Sequence, residues 1–454
     1  MRRSEVLALL AIVAAAAALR LTAIGQQSFW LDESFTVGLV KEPFGDMLDG
    51  VASTESTPPL YYVLAWLWAK LFGTTEAGLR SLSASFGTLA VPVAWRAARE
   101  WFESSRAGLI AAALVAFNPF FVWYSQEARS YALLVLMAAL SLLFLVQALR
   151  NPTARALALW AFTAALALLT HYFAAFLLVP EAIWLVWSLR RRAWLAVAAP
   201  SAVALALIPL AVHQRDLGHT AFIADLGLGR RIVDLPKKLV TGELGTPTPL
   251  IGPLAGAVAA AALVYALRTR PPRLLLALAV AAALVPFVLA IAGSDYLLPR
   301  NLIAVYVPVV LVAAAGLGAA GKLGVAGAAV ICAVALTVNV EVTADAKLQR
   351  DDWRGAASAL GPAEAVVVAP EYESKSLRLY AHDLEPIPPQ GVDVTQVVTV
   401  ANGRPPQAPP PPPGFTEQSR TTTESYVLTR YTAAAPQHLA AAPGTLIPQK
   451  GTSP

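Results

Sequence analysis

Four short stretches of this 454-residue chain place ionisable side chains where long apolar runs end. Asp32 and Glu33 follow the first such run by about eight residues and lie between the aromatics Trp30 and Phe35, which favour a membrane interface. An adjacent acid pair there fits either a solvated loop or a general base held close to a reacting hydroxyl. Gln126, Glu127 and Arg129 occupy a turn with almost no loop around it, as an ion pair capping two helix ends or as charges held toward a cavity. His171, beside Tyr172, reads as an interface residue or a ligand. Arg300, behind Pro299, can snorkel to headgroups or grip a phosphate with its planar fork. Together these residues point to a reaction at a membrane face, with carboxylates near a bound phosphate. There is no Walker-type glycine loop, no His-Glu-x-x-His helix and no Gly-x-Ser-x-Gly elbow.

The elements that must position these groups are membrane helices. Hydrophobic residues make up 57% of the chain and charged ones only 14%, with a mean hydropathy of +0.59, which excludes an ordinary soluble enzyme. Eleven apolar runs are long enough to span a bilayer, at about 4–24, 76–96, 107–123, 130–149, 155–170, 172–189, 193–213, 250–267, 274–293, 301–320 and 323–341. The first is read as a span and not as a cleaved leader. The run from Pro58 to Phe72 is shorter and is read as interfacial. With that assignment the clusters Arg96/Arg99/Arg106, Arg150/Arg155, Arg190/Arg191/Arg192 and Arg268/Arg270/Arg273 share the cytoplasmic side with Arg2 and Arg3. The loop 25–57, the turn at Glu127, the loops at His171 and before Arg300, the long loop from Gln214 to Thr248 and everything after about residue 342 then face outward. Phe44 to Val51 has the spacing of a short amphipathic helix. The net charge of +5 reflects these topological arginines and not a nucleic-acid-binding face, and the single cysteine, Cys332, supports neither a disulfide framework nor a zinc site.

Beyond the membrane part the pattern changes. DDWRGAASALG reads as a helix, AEAVVVAP as a strand, SKSLRLYAH as a helix, and VTQVVTVA and SYVLTRYT as strands, giving a small external α/β domain over 342–432. RPPQAPPPPPG is a polyproline spacer, and 433–454 lacks periodicity and is expected to be disordered.

The order of motifs resembles the GT-C superfamily of integral-membrane glycosyltransferases, particularly the protein O-mannosyltransferases and the lipid A aminoarabinose transferases. The stretches that carry the resemblance are Leu31-Asp32-Glu33, Thr57-Pro58-Pro59-Leu60-Tyr61-Tyr62, Gly78-Leu79-Arg80-Ser81, Asn118-Pro119 through Tyr124-Ser125-Gln126-Glu127-Ala128-Arg129-Ser130-Tyr131, and Pro299-Arg300. Asp352-Trp353-Arg354 resembles the start of the external domain of bacterial members. The resemblance implies a polytopic helical fold of the GT-C type and an inverting sugar transfer from a polyprenyl-phosphate donor to an acceptor hydroxyl on the external face of the cytoplasmic membrane. Asp32 would be the catalytic base, with Glu33 orienting it or binding acceptor. Arg129, Arg300, Thr57 and His171 would contact the donor phosphate, and Glu127 could hold a divalent cation (Mg, Mn or Ca) if one is used. One departure is Thr57, where relatives often carry His or Lys, so the phosphate would depend more on arginine or a metal. A transporter or flippase of lipid-linked sugar is the alternative reading. The implied acceptor is a lipid, a glycan or a protein, and no motif names the sugar.

Overall fold

The computed structural model describes residues 2–218, 221–243, 251–268, 270–403 and 405–449. The described chain divides into two compact units: Met1–Ile24 with Leu39–Glu341, and Gly25–Gly38 with Val342–Pro454.

In chain order α1 (Arg3–Leu21) is followed by three shorter helices, α2 (Leu31–Lys41), whose residues up to Gly38 belong to the second unit, α3 (Phe44–Thr54) and α4 (Leu60–Phe72). The long helices α5 (Glu76–Phe102) and α6 (Ser105–Phe117) come next, then a short α7 (Pro119–Ser125), α8 (Tyr131–Arg150), α9 (Ala154–Thr170), α10 (Ala175–Leu189) and α11 (Trp194–Asp216). After the small helix α12 (Phe222–Asp225) and the amphipathic α13 (Leu228–Thr241) the unit closes with α14 (Ile251–Ala266), α15 (Arg270–Ile291), α16 (Ile303–Ala319) and α17 (Gly321–Ala344). Every one of the eleven expected apolar runs is therefore helical. Among the described residues six helical runs are long and apolar enough to cross a membrane, the run Tyr172–Asp216 counting once, and seven if α6 and α7 are taken as one span bent by 57°. The protein is a multi-pass integral membrane protein. Helix α4, at 13 residues, is only about 20 Å long, well short of the hydrocarbon thickness of about 30 Å.

Local chemistry sets the helix starts. Thr75, Ser104, Asn118 and Thr153 each accept, through a side-chain oxygen, the backbone N–H three residues on, at 3.0–3.2 Å. The α6–α7 bend falls at Asn118-Pro119, where proline supplies no N–H and the last carbonyls of α6 lose their helical partners. Arg20, fully buried, meets that loss. Its guanidinium donates to the carbonyls of Ala116 (2.9 Å) and Val115 (3.1 Å), while Nε reaches Ser125 Oγ (3.2 Å). A Cβ on Gly87 would overlap both Ser125 Oγ and Arg20 Nε, so only glycine leaves room for this contact. Deeper in the bundle Glu181 of α10 accepts from Ser141 of α8 (3.0 Å) and Trp160 of α9 (2.8 Å), tying three helices by one carboxyl.

The second unit carries a six-stranded mixed sheet in the order β2-β6-β1-β3-β5-β4. Its strands are β1 (Ala365–Ala369), β2 (Leu384–Pro386), β3 (Val392–Asn402), β4 (Thr416–Thr422), β5 (Tyr426–Leu439) and β6 (Thr445–Pro448). β1 and β3 are parallel, with Val366 opposite Val398, and the remaining pairs are antiparallel. A parallel pair needs a crossover. It starts with the turn Glu371–Glu373 and α19 (Ser374–Arg378), the expected helix in a much shortened form. That crossover and α18 (Trp353–Ala359) pack on Val366, Val368, Val400, Leu428 and Leu446 through Trp353 and Leu377.

Three expectations change. The stretch 25–57 is not a loop: Asp32 and Glu33 lie in the first turn of α2, α3 extends the expected amphipathic helix to Thr54, and 25–38 groups with the second unit. The segment from Gln214 to Thr248 is not a loop either, since the end of α11, α12 and α13 together occupy most of its described part; 219–220 and 244–248 lie outside the described residues. Residues 433–448, expected to be disordered, complete β5 and form β6, with Leu439 opposite Val392 and Leu446 buried between β1 and β2. Backbone pairing holds Gln437–Leu439 and Thr445–Pro448, and it needs no apolar alternation. The last expected residues, 450–454, lie outside the described range.

Candidate active site

In the membrane unit the turn after α7 supplies Glu127 and Arg129, both buried. The Arg129 fork grips Glu55, Nη1 to Oε1 at 2.9 Å and Nη2 to Oε2 at 2.8 Å. Sequence reading missed Glu55, although a buried guanidinium demands a counter-charge and this carboxyl lies two residues before Thr57. The tyrosines of the Pro-Pro-Leu-Tyr-Tyr stretch hold the same turn from the other side. Tyr61 shares a hydrogen with Ser83 (2.9 Å), whose hydroxyl donates to the Arg129 carbonyl (3.3 Å). The Tyr62 ring lies 5.7 Å from the Arg129 guanidinium and its hydroxyl pairs with Thr57 Oγ1 (3.0 Å). Thr57 is thus part of the support of Arg129, and its carbonyl accepts from Gln214 (3.2 Å), which in turn accepts from Tyr172 (2.8 Å).

His171 caps the turn after α9, Nδ1 accepting from the Phe173 N–H (3.2 Å), which leaves Nε2 to carry the proton of the neutral ring. It is buried and lies within electrostatic reach of both Arg129 and Arg300. Arg300 also acts on Tyr124, as do Glu127 and Glu243, and Tyr124 donates to Glu243 (3.1 Å), which pairs with Lys238 of α13. The turn that carries Arg300 is set by Asp295. Its carboxylate takes two 2.7 Å hydrogen bonds from Arg231 of α13, which hold it below the usual carboxylate range. Arg129, His171, Arg300, Glu127 and Thr57 are therefore brought into one polar cluster, with Glu55, Tyr62, Tyr124, Gln214 and Arg231 as members that spacing alone did not reveal.

At the other end of α7 the chemistry reverses. Asn118 and Pro119 line a cavity of about 770 Å³ together with Leu114, Val240, Ala259 and Val310, within the size range of ligand pockets. The seven residues of α7 separate this apolar chamber from the polar cluster by about 10 Å.

In the second unit Asp32 is partly exposed and Glu33 fully buried, with Glu33 Oε2 accepting from the Trp30 N–H (3.4 Å). Glu33 is placed to shape its own turn more than to meet a substrate. Carboxylates in a helix first turn face the positive end of its dipole. Ser28 donates to Asp352 Oδ1 (3.2 Å), which also caps α18 through the Gly355 N–H (2.9 Å), and the Arg354 N–H donates to Ser28 (3.1 Å). The Asp352-Trp353-Arg354 stretch thus fixes the approach to α2.

Among the described residues no group of three or more His, Cys, Asp or Glu side chains could hold a metal ion.

The family described as dolichyl-phosphate-mannose-protein mannosyltransferase matches residues 56–214, the stretch carrying Thr57, Glu127, Arg129 and His171. No curated protein matches by sequence. Among solved structures, ArnT from Cupriavidus metallidurans bound to undecaprenyl phosphate is similar with a TM-score of 0.60 and 16% identity, covering 94% of this chain and 98% of that one. Its apo form gives a TM-score of 0.58 and 14% identity over 93% and 97%. The Archaeoglobus fulgidus oligosaccharyltransferase with Zn and sulfate gives 0.54 and 16% over 83% of this chain and 61% of that one. The chain thus shares its fold with ArnT over nearly its whole length, and the mannosyltransferase family matches the stretch that carries the polar cluster.

Proposed function

We propose that this protein transfers a sugar from a polyprenyl-phosphate donor to an acceptor hydroxyl on the external face of the cytoplasmic membrane, with inversion at the anomeric carbon. The observation that carries the reading is the pairing of an apolar chamber with a cluster of guanidinium and imidazole groups at the two ends of α7. A ligand with a long hydrocarbon tail and an anionic head matches both ends, and undecaprenyl phosphate is such a molecule in the ArnT structure. Eleven crossings, with the N-terminus cytoplasmic and the second unit outside, accord with the arginine distribution.

In the mechanism Asp32 removes the proton of the acceptor hydroxyl as its oxygen attacks the anomeric carbon. The bond from that carbon to the phosphate oxygen breaks on the opposite face, and its electron pair leaves with the phosphate. A phosphate is a stable leaving anion, so no general acid is needed. Arg300 meets its growing charge, with the His171 Nε2–H as a neutral donor. Arg129, neutralised by Glu55, acts as a fixed dipole in the wall, and Thr57 supports it through Tyr62. A divalent cation on the phosphate beside Glu127 is a separable proposal, read by a chelator control.

The test is transfer from radiolabelled polyprenyl-phosphate sugars to membrane extracts by the purified protein. Asp32→Asn should lower kcat at least about 100-fold with unchanged thermal unfolding, and the labelled product identifies the acceptor. Wild-type activity in Asp32→Asn refutes the base assignment, and movement of label between leaflets without a new glycosidic bond favours a transporter. Gly256 lines the chamber and a Cβ there meets nothing within 4 Å. Gly256→Trp should raise the donor KM about tenfold or more through lost tail contacts, with little change in kcat.

A further inference from the structure

We propose that the crossover segment Glu373–Tyr380 of the sheet-bearing unit is the positioning element of the catalytic acid, gripping the start of α2 on both sides of Asp32. The proposal rests on the assignment of Asp32 as the base.

The grip has three points, all within one compact unit. Three residues before Asp32, the Phe29 N–H donates to Tyr380 Oη at 2.7 Å. Two residues after it, Ser34 Oγ donates to Ser376 Oγ at 3.3 Å, and both serines are essentially fully buried. One residue further, Lys375 Nζ lies 3.6 Å from the centre of the Phe35 ring. Ser376 in turn donates to Glu373 Oε2 at 2.8 Å, so a chain of hydroxyls links the Glu373 carboxyl to α2. The segment directly follows β1 and belongs to the crossover to β3, which makes it a rigid platform and not a free loop. A base must be held within a fraction of an ångström of its proton, and α2 by itself, an 11-residue helix, has little intrinsic stability.

Glu373 adds a second, electrostatic connection. Burial pushes its carboxyl up to about 7, helped by the charges of Asp351 and Asp32 and opposed by hydrogen bonds from Ser376 and Asn402. The titratable groups facing it are Asp32, Asp351 and Tyr372. When Glu373 ionises, a negative charge appears behind the Ser376 hydroxyl that holds α2, so kcat should change through pH 7 beyond what the other groups produce.

The experiment uses the full-length protein in the donor-transfer assay. Tyr380→Phe and Ser376→Ala keep the packing and remove one grip each; both should lower kcat about tenfold with donor KM unchanged, while Ser376→Thr, which retains the hydroxyl, should recover most of the rate. Hydrogen exchange should quicken at the Phe29 amide in Tyr380→Phe, and Glu373→Gln should remove the step in kcat near pH 7. Wild-type kcat in Tyr380→Phe and Ser376→Ala, with Asp32→Asn inactive, overturns the positioning role alone. Full activity in Asp32→Asn overturns the underlying base assignment as well, so the two failures are told apart by that one variant.

Discussion

The buried arginines of the membrane unit and the buried Glu373 of the sheet-bearing unit are kept out of water by opposite means. The arginines are met by charge or by carbonyls: Arg129 has Glu55, Arg231 has Asp295, and Arg20 has the orphan carbonyls of Val115 and Ala116. In the sheet-bearing unit the buried Glu373 is met by the neutral groups Ser376 and Asn402 and lies among further acids. The first arrangement gives dipoles held in fixed positions in the wall of the site. The second leaves a carboxyl that changes charge near neutrality. A fixed wall suits the binding of a phosphate, and a titrating neighbour suits the tuning of a base.

The strongest break of this contrast is at Arg129. Arg129→Ala leaves Glu55 ionised in a nearly closed site and should cost about 3–5 kcal/mol of stability, whereas Arg129→Met combined with Glu55→Leu should recover most of it, because removing both charges also removes their desolvation cost. Thermal unfolding of the purified single and double variants in detergent measures the difference. Equal destabilisation by the single and double changes would mean that packing, and not charge matching, holds the turn. Donor transfer should stay low in the double variant even where stability returns.

How far this contrast could be read from sequence depends on what each pattern encodes. The eleven apolar runs were legible because lipid forces every span to be both long and apolar, and the caps Thr75, Ser104, Asn118 and Thr153 mark starts by residue type. Glu127, Arg129, His171 and Arg300 were legible as charges at run ends, and the structure gathers them into one cluster. Glu55 was not, since a single acid in Ser-Thr-Glu-Ser-Thr resembles any solvated loop until Arg129 is placed beside it. The ends of β5 and β6 were hidden for a different reason: Gln437–Leu439 and Thr445–Pro448 are held by pairing with residues far along the chain, which no local period records. β4 was hidden because it is an edge strand exposed along its whole length, so its sequence lacks the alternation of a half-buried strand. Asp32 was picked out by its type and neighbours, but its dependence on Ser376 and Tyr380 crosses more than 340 residues.

The middle-sized effect is at Glu373, and its sign follows from linkage. Its folded value of about 7 lies above the ordinary glutamate value of about 4.3, so the folded state binds the proton more tightly than the unfolded one. That contribution to stability is fully present below about pH 4.3 and is lost as pH rises through 7, to a total of about 4 kcal/mol at most. Glu373→Gln lacks this term. Its melting temperature should therefore vary less than that of wild type between pH 5 and 8, with the two curves approaching each other at the acid end, while the Arg129 variants show an offset that stays constant across the same range. A parallel pH dependence in Glu373→Gln and wild type would remove Glu373 as the titrating group and with it the contrast between the units.

The smallest effect tests whether the wall of the phosphate site depends on its neutral members. Thr57 brings no charge, and its hydroxyl is engaged with Tyr62, whose ring lies over Arg129. Thr57→Val keeps the shape and leaves the Tyr62 hydroxyl one partner short, for a cost of about 1 kcal/mol. If Thr57 acts only through Tyr62 and Arg129, Tyr62→Phe should have the same effect on the donor KM, and the double variant should add nothing to either single change. If Thr57 touches the phosphate itself, Thr57→Val should raise the donor KM beyond Tyr62→Phe, and the two effects should add. The comparison matters because a direct contact would make this threonine a neutral substitute for the basic residue that relatives carry there. An indirect one would leave Arg300 as the main cation for the phosphate, and Arg300→Lys, which keeps the charge but loses the fork, should then weaken donor binding more than any change at position 57.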